Sequence, residues 1–222
     1  MSSFNFWVSK LSGSLGAISK EIIIKFMVEK TKAKAALEQL PPGFQLESGI
    51  AYGYRVDGLF EIKFHAQNLN VLTKEGQTVL AKLFTNVNKD EKAKCVLLHG
   101  GKYYGAGNDL QILMTFIKSG EIEKTGRNAI FGSMVPFLTA IKNCEKPIVA
   151  VVRGGCHGIH FTPLTLCDFV YCGSDAMFSV PFVKSFQSPE GLSTVNFAKQ
   201  FGVRRANEIL FLDRPVSAKE AV

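Results

Sequence analysis

With 222 residues, 46% of them hydrophobic and 18 of them phenylalanine, the chain can bury one large core, or one core with an extension. No window of about 18 apolar residues occurs, so no membrane-spanning helix is predicted. The formal net charge of +7 favours an anionic partner (nucleic acid, a membrane surface or a small polyphosphorylated ligand) without choosing among them.

Residues 1–44 read as a separate basic extension. Met1 to Lys20 is rich in Ser and contains no acidic residue, and Glu21 to Leu40 is a lysine-bearing stretch of helical character closed by Pro41-Pro42-Gly43. Such a segment fits a targeting presequence or a solvated accessory helix, and the absence of Arg before Arg55 counts against the first. A compact pattern starts near Phe44 and defines the second predicted unit, 45–222. Gly49 to Val56 and Leu59 to Phe64 read as two strands joined at Asp57-Gly58, a strong hairpin signal. Apolar residues at Val79, Leu80, Leu83, Phe84 and Val87 predict a helix over Leu72 to Val87. Lys94 to His99 reads as a buried strand, Asp109 to Lys118 as a helix, and Arg127 to Asn143 as a helix that Pro136 kinks or breaks. Pro147 to Arg153 is a second buried strand. A short helix over Gly158 to Cys167 follows, then short strands at Asp168 to Cys172 and Met177 to Val180. Helices are predicted at Glu190 to Gln200, at Val203 to Leu212 and from Ser217, the last cut off at Val222 as if the C-terminal helical region were truncated. Alternating strands and helices predict an α/β fold with a largely parallel sheet covered on both faces.

The five cysteines are odd in number, irregular in spacing and set in apolar contexts, so they read as reduced, buried thiols of an intracellular protein. No C-x-x-C, Walker-type Gly-Lys-Ser/Thr or G-x-S-x-G pattern occurs, which leaves zinc-ribbon, P-loop and serine-hydrolase chemistry without support. His157 and His160 stand three residues apart on a predicted helix face, as metal ligands can. No third ligand stands at a recognised spacing, so no metal is expected. Arg204-Arg205 lacks interleaved aromatics and reads as a solvated helix face, so no nucleic-acid partner is expected.

Two Gly-bearing loops follow the two best buried strands: Tyr104-Gly105-Ala106-Gly107-Asn108-Asp109-Leu110 and Arg153-Gly154-Gly155-Cys156-His157-Gly158-Ile159-His160. In open α/β sheets ligands sit beyond the carboxyl ends of the strands. Two backbone N–H groups aimed at one point there would form an oxyanion hole, although such loops are also ordinary tight turns. The third element is Ser185 to Ser193, where Glu190 is the one carboxylate in a run otherwise apolar or neutral. Lost hydration would raise its pKa and poise it as a general base. The same residues also fit a helix start, with Ser188 as N-cap and Glu190 in the first turn. A hole plus one carboxylate would suit proton abstraction beside a carbonyl.

Residues 45–222 resemble the enoyl-CoA hydratase/isomerase (crotonase) superfamily. The resemblance is carried by Asn68-Leu69-Asn70-Val71-Leu72, by the loop Tyr104 to Leu110, by Lys146-Pro147-Ile148-Val149-Ala150-Val151-Val152-Arg153-Gly154, and by Cys167-Asp168 with Ala176-Met177-Phe178. It implies a spiral of ββα units, an acyl-CoA thioester substrate, no cofactor beyond the coenzyme A of that substrate, and a homotrimer or hexamer. It implies further that the N–H groups of Asn108 and Ile159 form the oxyanion hole, and that Gly105, Ala106, Gly107, Asn108, Asp109, Ile159 and Phe182 line the substrate site. Hydratases of the family use two glutamates, and their positions here are Thr162 and Phe182. The segment Gln187-Ser188-Pro189-Glu190-Gly191 instead resembles the branch of peroxisomal-type Δ3,Δ2-enoyl-CoA isomerases, in which a single glutamate works. The resemblance therefore implies an isomerase of fatty-acid β-oxidation in the peroxisome or mitochondrion, with Glu190 as the acid–base residue. The alternative is a catalytically silent crotonase-fold protein that binds acyl-CoA or acts as a scaffold.

Overall fold

The structure, a computed structural model, describes the backbone of residues 5–7 and residues 40–109, 126–128, 130–185 and 187–221. The helix predicted over Asp109 to Lys118 lies outside these residues beyond its first position, as does the basic extension apart from 5–7 and 40–44.

The frame is a mixed seven-stranded sheet. Its strands are β1 (Asn5–Trp7), β2 (Gln45–Glu47), β3 (Ile50–Val56), β4 (Leu59–Phe64), β5 (Cys95–His99), β6 (Ile148–Val152) and β8 (Phe169–Cys172), in the order β1-β8-β6-β5-β4-β3-β2. Asp57-Gly58 turns β3 into β4 as an antiparallel hairpin, with Val56 paired to Leu59 and Gly58 at φ +78°. The pairs β4–β5, β5–β6 and β6–β8 are parallel, whereas β1 and β2 add antiparallel edges. The predicted parallel sheet is thus its centre only. There β6 is buried along its whole length, as its unbroken run Ile-Val-Ala-Val-Val requires when both faces are covered.

A second sheet of three strands stacks beyond the carboxyl ends. It comprises β7 (Gly155–His157), β9 (Met177–Ser179) and β10 (Val216–Ser217) in the order β10-β9-β7. Strand pairs followed by a helical segment recur along the chain: β3–β4 precede helix α1 (Lys74–Lys89), β6–β7 precede two 3-10 turns, and β8–β9 precede helix α3 (Ser193–Phe201).

Helix α1 is capped by the Thr73 hydroxyl, which accepts the Gly76 N–H at 3.1 Å. It buries Val79, Leu80, Leu83, Phe84 and Val87, the stripe read from the sequence, against the sheet and against α2 (Val135–Lys142). The helix predicted over Arg127 to Asn143 is divided. Ile130–Met134 is a π-helical stretch, and Pro136 falls in the first turn of α2, where its missing N–H matters least. Gly158 to Cys167 forms two 3-10 turns, Gly158–His160 and Thr162–Leu166, instead of one short helix, and Pro163 opens the second. Helix α4 spans Val203–Phe211. Where a helix is predicted from Ser217, the described residues form strand β10 followed by a turn over 218–220, in which the Glu220 carboxylate accepts the Ser217 N–H at 3.0 Å.

Within the sheet, Glu61 is fully buried and bound by His99 at 2.8 Å and by Arg55 at 2.6 Å. Burial by itself would raise this carboxyl, but the hydrogen bonds from His99 and Arg55 prevail and hold it at about 2. The folded pKa lies below the ordinary 4.5, so the stabilisation is present above pH 4.5 and is lost as pH falls towards 2. Glu61→Gln should cost about 3 kcal/mol at pH 7 in urea unfolding. It should also flatten the fall in stability between pH 4.5 and 2. An unchanged acid limb would show that the triad contributes nothing to folding.

Candidate active site

The two Gly-bearing loops leave neighbouring parallel strands and stay neighbours. Tyr104 donates its N–H to Arg153 at 2.8 Å, Gly105 to Gly155 at 3.0 Å, and His157 returns its N–H to Gly105 at 2.9 Å. Gly105 and Cys156 form a parallel bridge. Farther along, Gly107 and Gly158 meet: a Cβ on Gly158 would lie 3.9 Å from the Gly107 Cα. The residues that follow them are Asn108 and Ile159, and among the described residues neither backbone N–H is taken by a hydrogen bond.

The direction of the Asn108 N–H is fixed. The Gly107 carbonyl accepts the Leu72 N–H at 2.9 Å. In a trans peptide the C=O and N–H point opposite ways, so the Asn108 N–H faces away from Leu72. The Asn108 side chain is held too. Its Oδ1 accepts from Gln77 Nε2 at 2.8 Å, and Gln77 Oε1 accepts the Ser133 hydroxyl at 2.9 Å from the π-helical stretch. Ile159 is the second residue of the 3-10 turn Gly158–His160 and is buried, so its N–H is one of the unpaired donors every helical start leaves.

Sequence reasoning missed the strap that sets this loop. Asn68, Leu69 and Asn70 all have left-handed backbones, with φ of 54°, 60° and 58°. Such a run is costly for residues with a Cβ, and the buried Asn70 offsets it with three hydrogen bonds. Asn70 takes the Ala66 N–H at 3.0 Å and donates to the carbonyls of Gly100 at 3.1 Å and Tyr103 at 2.7 Å. The Leu69 carbonyl then takes the Ala106 N–H at 3.0 Å, and Asp109 donates to Leu72 at 3.4 Å. Asn is the residue most tolerant of this conformation after Gly, so Asn-Leu-Asn carried a signal.

Glu190 lies outside the helix it was expected to start. Helix α3 begins at Ser193, after Gly191 and Leu192, both at φ 65°, and Ser188 caps nothing. The Ser193 hydroxyl donates to the Glu190 carbonyl at 2.7 Å and pins the turn. The carboxylate Oε2 is buried without a hydrogen-bond partner among the described residues. That burial pushes the pKa up from 4.5 to about 7. The next residue packs against the second loop: a Cβ on Gly191 would lie 1.9 Å from Thr162 Oγ1, and Thr162 follows Ile159 by three positions. Phe182 is buried in the same apolar cluster as Ile159.

His157 and His160 do not share a helix face, because His157 ends β7. The His157 ring bridges Ser179 Oγ at 2.6 Å and the Tyr103 hydroxyl at 2.9 Å. His160 Nδ1 accepts the Gly107 N–H at 3.1 Å. Among the described residues no group of three or more His, Cys, Asp or Glu is placed to hold a metal. A cavity of about 230 Å³ lies elsewhere, between α3, α4 and β10, lined by Phe161, Phe178, Phe201, Ile209, Arg205 and Glu220. None of Asn108, Ile159 and Glu190 borders it.

Residues 55–222 match the family model described as enoyl-CoA hydratase/isomerase. Human enoyl-CoA delta isomerase 2 is 33% identical over 166 residues, which cover 74% of this chain and 42% of that protein. Mouse peroxisomal enoyl-CoA delta isomerase 3 is 32% identical over 170 residues, covering 74% of this chain and 51% of that protein. Mouse chromodomain Y-like protein 2 is 30% identical over 152 residues, covering 68% of this chain and 30% of that protein. The chain thus spans about half the length of these relatives or less. Among solved structures, an enoyl-CoA hydratase/isomerase from Pseudoalteromonas atlantica aligns with a TM-score of 0.67 at 29% identity, covering 78% of this chain and 65% of that one. An enoyl-CoA hydratase/carnithine racemase from Magnetospirillum magneticum aligns with a TM-score of 0.72 at 21% identity, covering 81% and 66%, and speaks to the fold alone. With the family matched over most of its length, the chain belongs to the enoyl-CoA hydratase/isomerase family and has the crotonase fold.

Proposed function

We propose that the protein is an enoyl-CoA Δ-isomerase that moves the double bond of a 3-enoyl-CoA to the 2-trans position. The observation that carries the reading is Glu190, a half-buried residue whose carboxylate oxygen Oε2 is fully buried without a hydrogen-bond partner among the described residues, and whose pKa burial raises to about 7. A lone base of that strength can take and return a proton near neutral pH. Ionised Glu190 removes a proton from C2. The electron pair delocalises onto the thioester oxygen, which the N–H groups of Asn108 and Ile159 receive. The protonated Glu190 then delivers the same proton to C4, and the double bond shifts from C3–C4 to C2–C3. Water addition would need a second acid–base group, and the adjacent positions hold Thr162 and Phe182. The names of the human and mouse isomerases support this choice within the family. Gly105 to Asp109, with Ile159 and Phe182, would line the acyl-CoA site. A homotrimeric or hexameric assembly, no cofactor beyond the coenzyme A of the substrate, and a role in peroxisomal or mitochondrial β-oxidation belong to the same proposal.

A second reading is a catalytically silent crotonase-fold protein that binds acyl-CoA or serves as a scaffold; the relatives include chromodomain Y-like protein 2, whose name carries no enoyl-CoA activity.

The test is the absorbance of the conjugated thioester that forms from trans-3-hexenoyl-CoA. Glu190→Gln should lower kcat by about 10³-fold or more, at the upper end of what general-base removal costs. Acyl-CoA binding without turnover in the unaltered protein would favour the silent reading instead. The wild-type kcat/KM should rise with pH and level off above about 7, as the free base ionises. Stability should run the other way. The folded pKa exceeds the ordinary 4.5, so the folded state keeps a proton that the unfolded chain releases between pH 4.5 and 7. Stability from this group therefore falls across that window, by up to about 3 kcal/mol, and is flat above it. Thermal melts of Glu190→Gln should lack that slope, and a parallel slope in both proteins would refute the buried base.

A further inference from the structure

We infer that His160 is a positioning residue for the oxyanion hole: its ring fills the space beside Gly105 and holds the Gly107 N–H, and so aims the Asn108 N–H at the point that Ile159 also faces. The inference rests on the reading of the site above and goes beyond it in naming what sets the hole.

His160 follows Ile159 directly and is only 2% exposed. Its Nδ1 accepts the Gly107 N–H at 3.1 Å, which places the ring proton on Nε2. Burial, with His157 nearby, pushes the pKa down to about 3, so the ring stays neutral and Nδ1 stays an acceptor across the neutral range. A Cβ on Gly105 would lie 2.2 Å from His160 Cδ2 and 2.3 Å from Nε2, so the ring stands where any side chain at 105 would have to go. Phe64, with its ring centroid 4.6 Å away, and Tyr104, at 6.0 Å, close other sides and leave the ring little room to turn. A single imidazole is therefore part of the Ile159 segment by covalent bond and of the Gly105–Asp109 segment by hydrogen bond. Leu72 orients the 107–108 peptide from one side, and His160 holds the 106–107 peptide from the other. Positions 105 and 160 become a co-dependent pair, in which a larger residue at one is tolerated only with a smaller residue at the other.

The test uses the full chain and four variants: His160→Asn, His160→Ala, Gly105→Ala, and the double substitution Gly105→Ala with His160→Ala. The first readout is the thioester carbonyl stretch of bound trans-2-hexenoyl-CoA by difference infrared spectroscopy, which reports polarisation by the hole whether or not turnover occurs. The second is kcat and KM with trans-3-hexenoyl-CoA. The wild type should lower the carbonyl frequency on binding. His160→Ala should lose most of that shift, with kcat down about tenfold or more and KM changed less than about threefold. His160→Asn, whose Oδ1 can accept the same N–H, should keep the shift and keep kcat within about threefold of wild type. Gly105→Ala alone should lose the shift, and in the His160→Ala background it should cost nothing further, so that the double variant matches His160→Ala alone. The inference falls if His160→Ala keeps the shift and lowers only the melting temperature, if His160→Asn loses the shift, or if the Gly105→Ala and His160→Ala effects simply multiply. A wild-type shift without turnover would remove the isomerase reading and leave His160 to be judged by the variants. No shift in the wild type would overturn the inference itself.

Discussion

The site depends on two chain segments continuing side by side after their strands end. Strands β5 and β6 are parallel neighbours, and the hydrogen bonds from Tyr104 to Arg153, Gly105 to Gly155 and His157 back to Gly105 carry that pairing past the sheet. The approach is close enough that Gly154 has no space for a side chain: a Cβ there would lie 2.7 Å from the Lys102 carbonyl oxygen. With the segments paired at this distance, Gly107 and Gly158 meet, and the N–H groups of the residues that follow them, Asn108 and Ile159, remain unspent because the ladder ends just before them. Backbone pairing thus supplies both the framework and the unpaired donors.

Glu61 and Glu190 show how environment decides what a carboxylate does. Glu61 sits in the sheet with His99 and Arg55, and its charge is held at about 2. It contributes to folding and is spent in doing so. Glu190 has burial without a partner, and its proton is retained to about 7. Folding loses some stability there at neutral pH, and the carboxyl is left able to take or give a proton near pH 7. Thr162, packed against Gly191, brings no charge to that side of the carboxylate.

Much of the frame was legible in local sequence. Asp57-Gly58 marked its hairpin, the apolar period of Val79 to Val87 marked α1, and the unbroken run Ile148 to Val152 marked a strand covered on both faces. The carboxylate at Glu190 and the paired glycine loops were visible as well, although Ser188-Pro189-Glu190 imitated a helix start that the two left-handed residues Gly191 and Leu192 postpone to Ser193. What stayed hidden was long-range. Asn70 reaches carbonyls 30 and 33 residues away, and the contact of His160 with Gly107 spans 53 residues. No periodicity encodes such partners. The pair of histidines looked like a ligand spacing because the strand end at His157 was read as helix.

Those same separations bear on the order in which the molecule takes shape. Gln77 reaches Asn108 across 31 residues, Asn70 reaches Gly100 across 30, and His160 reaches Gly107 across 53. Closing such loops has an entropic cost that no neighbouring helix turn or hairpin can offset in advance. The hairpin β3–β4 and helix α1 can form from local contacts, but the two loops of the candidate site cannot pair until β5 and β6 have found each other. The arrangement of the candidate site is therefore a late and collective property of the folded chain, gained only when the centre of the sheet is complete.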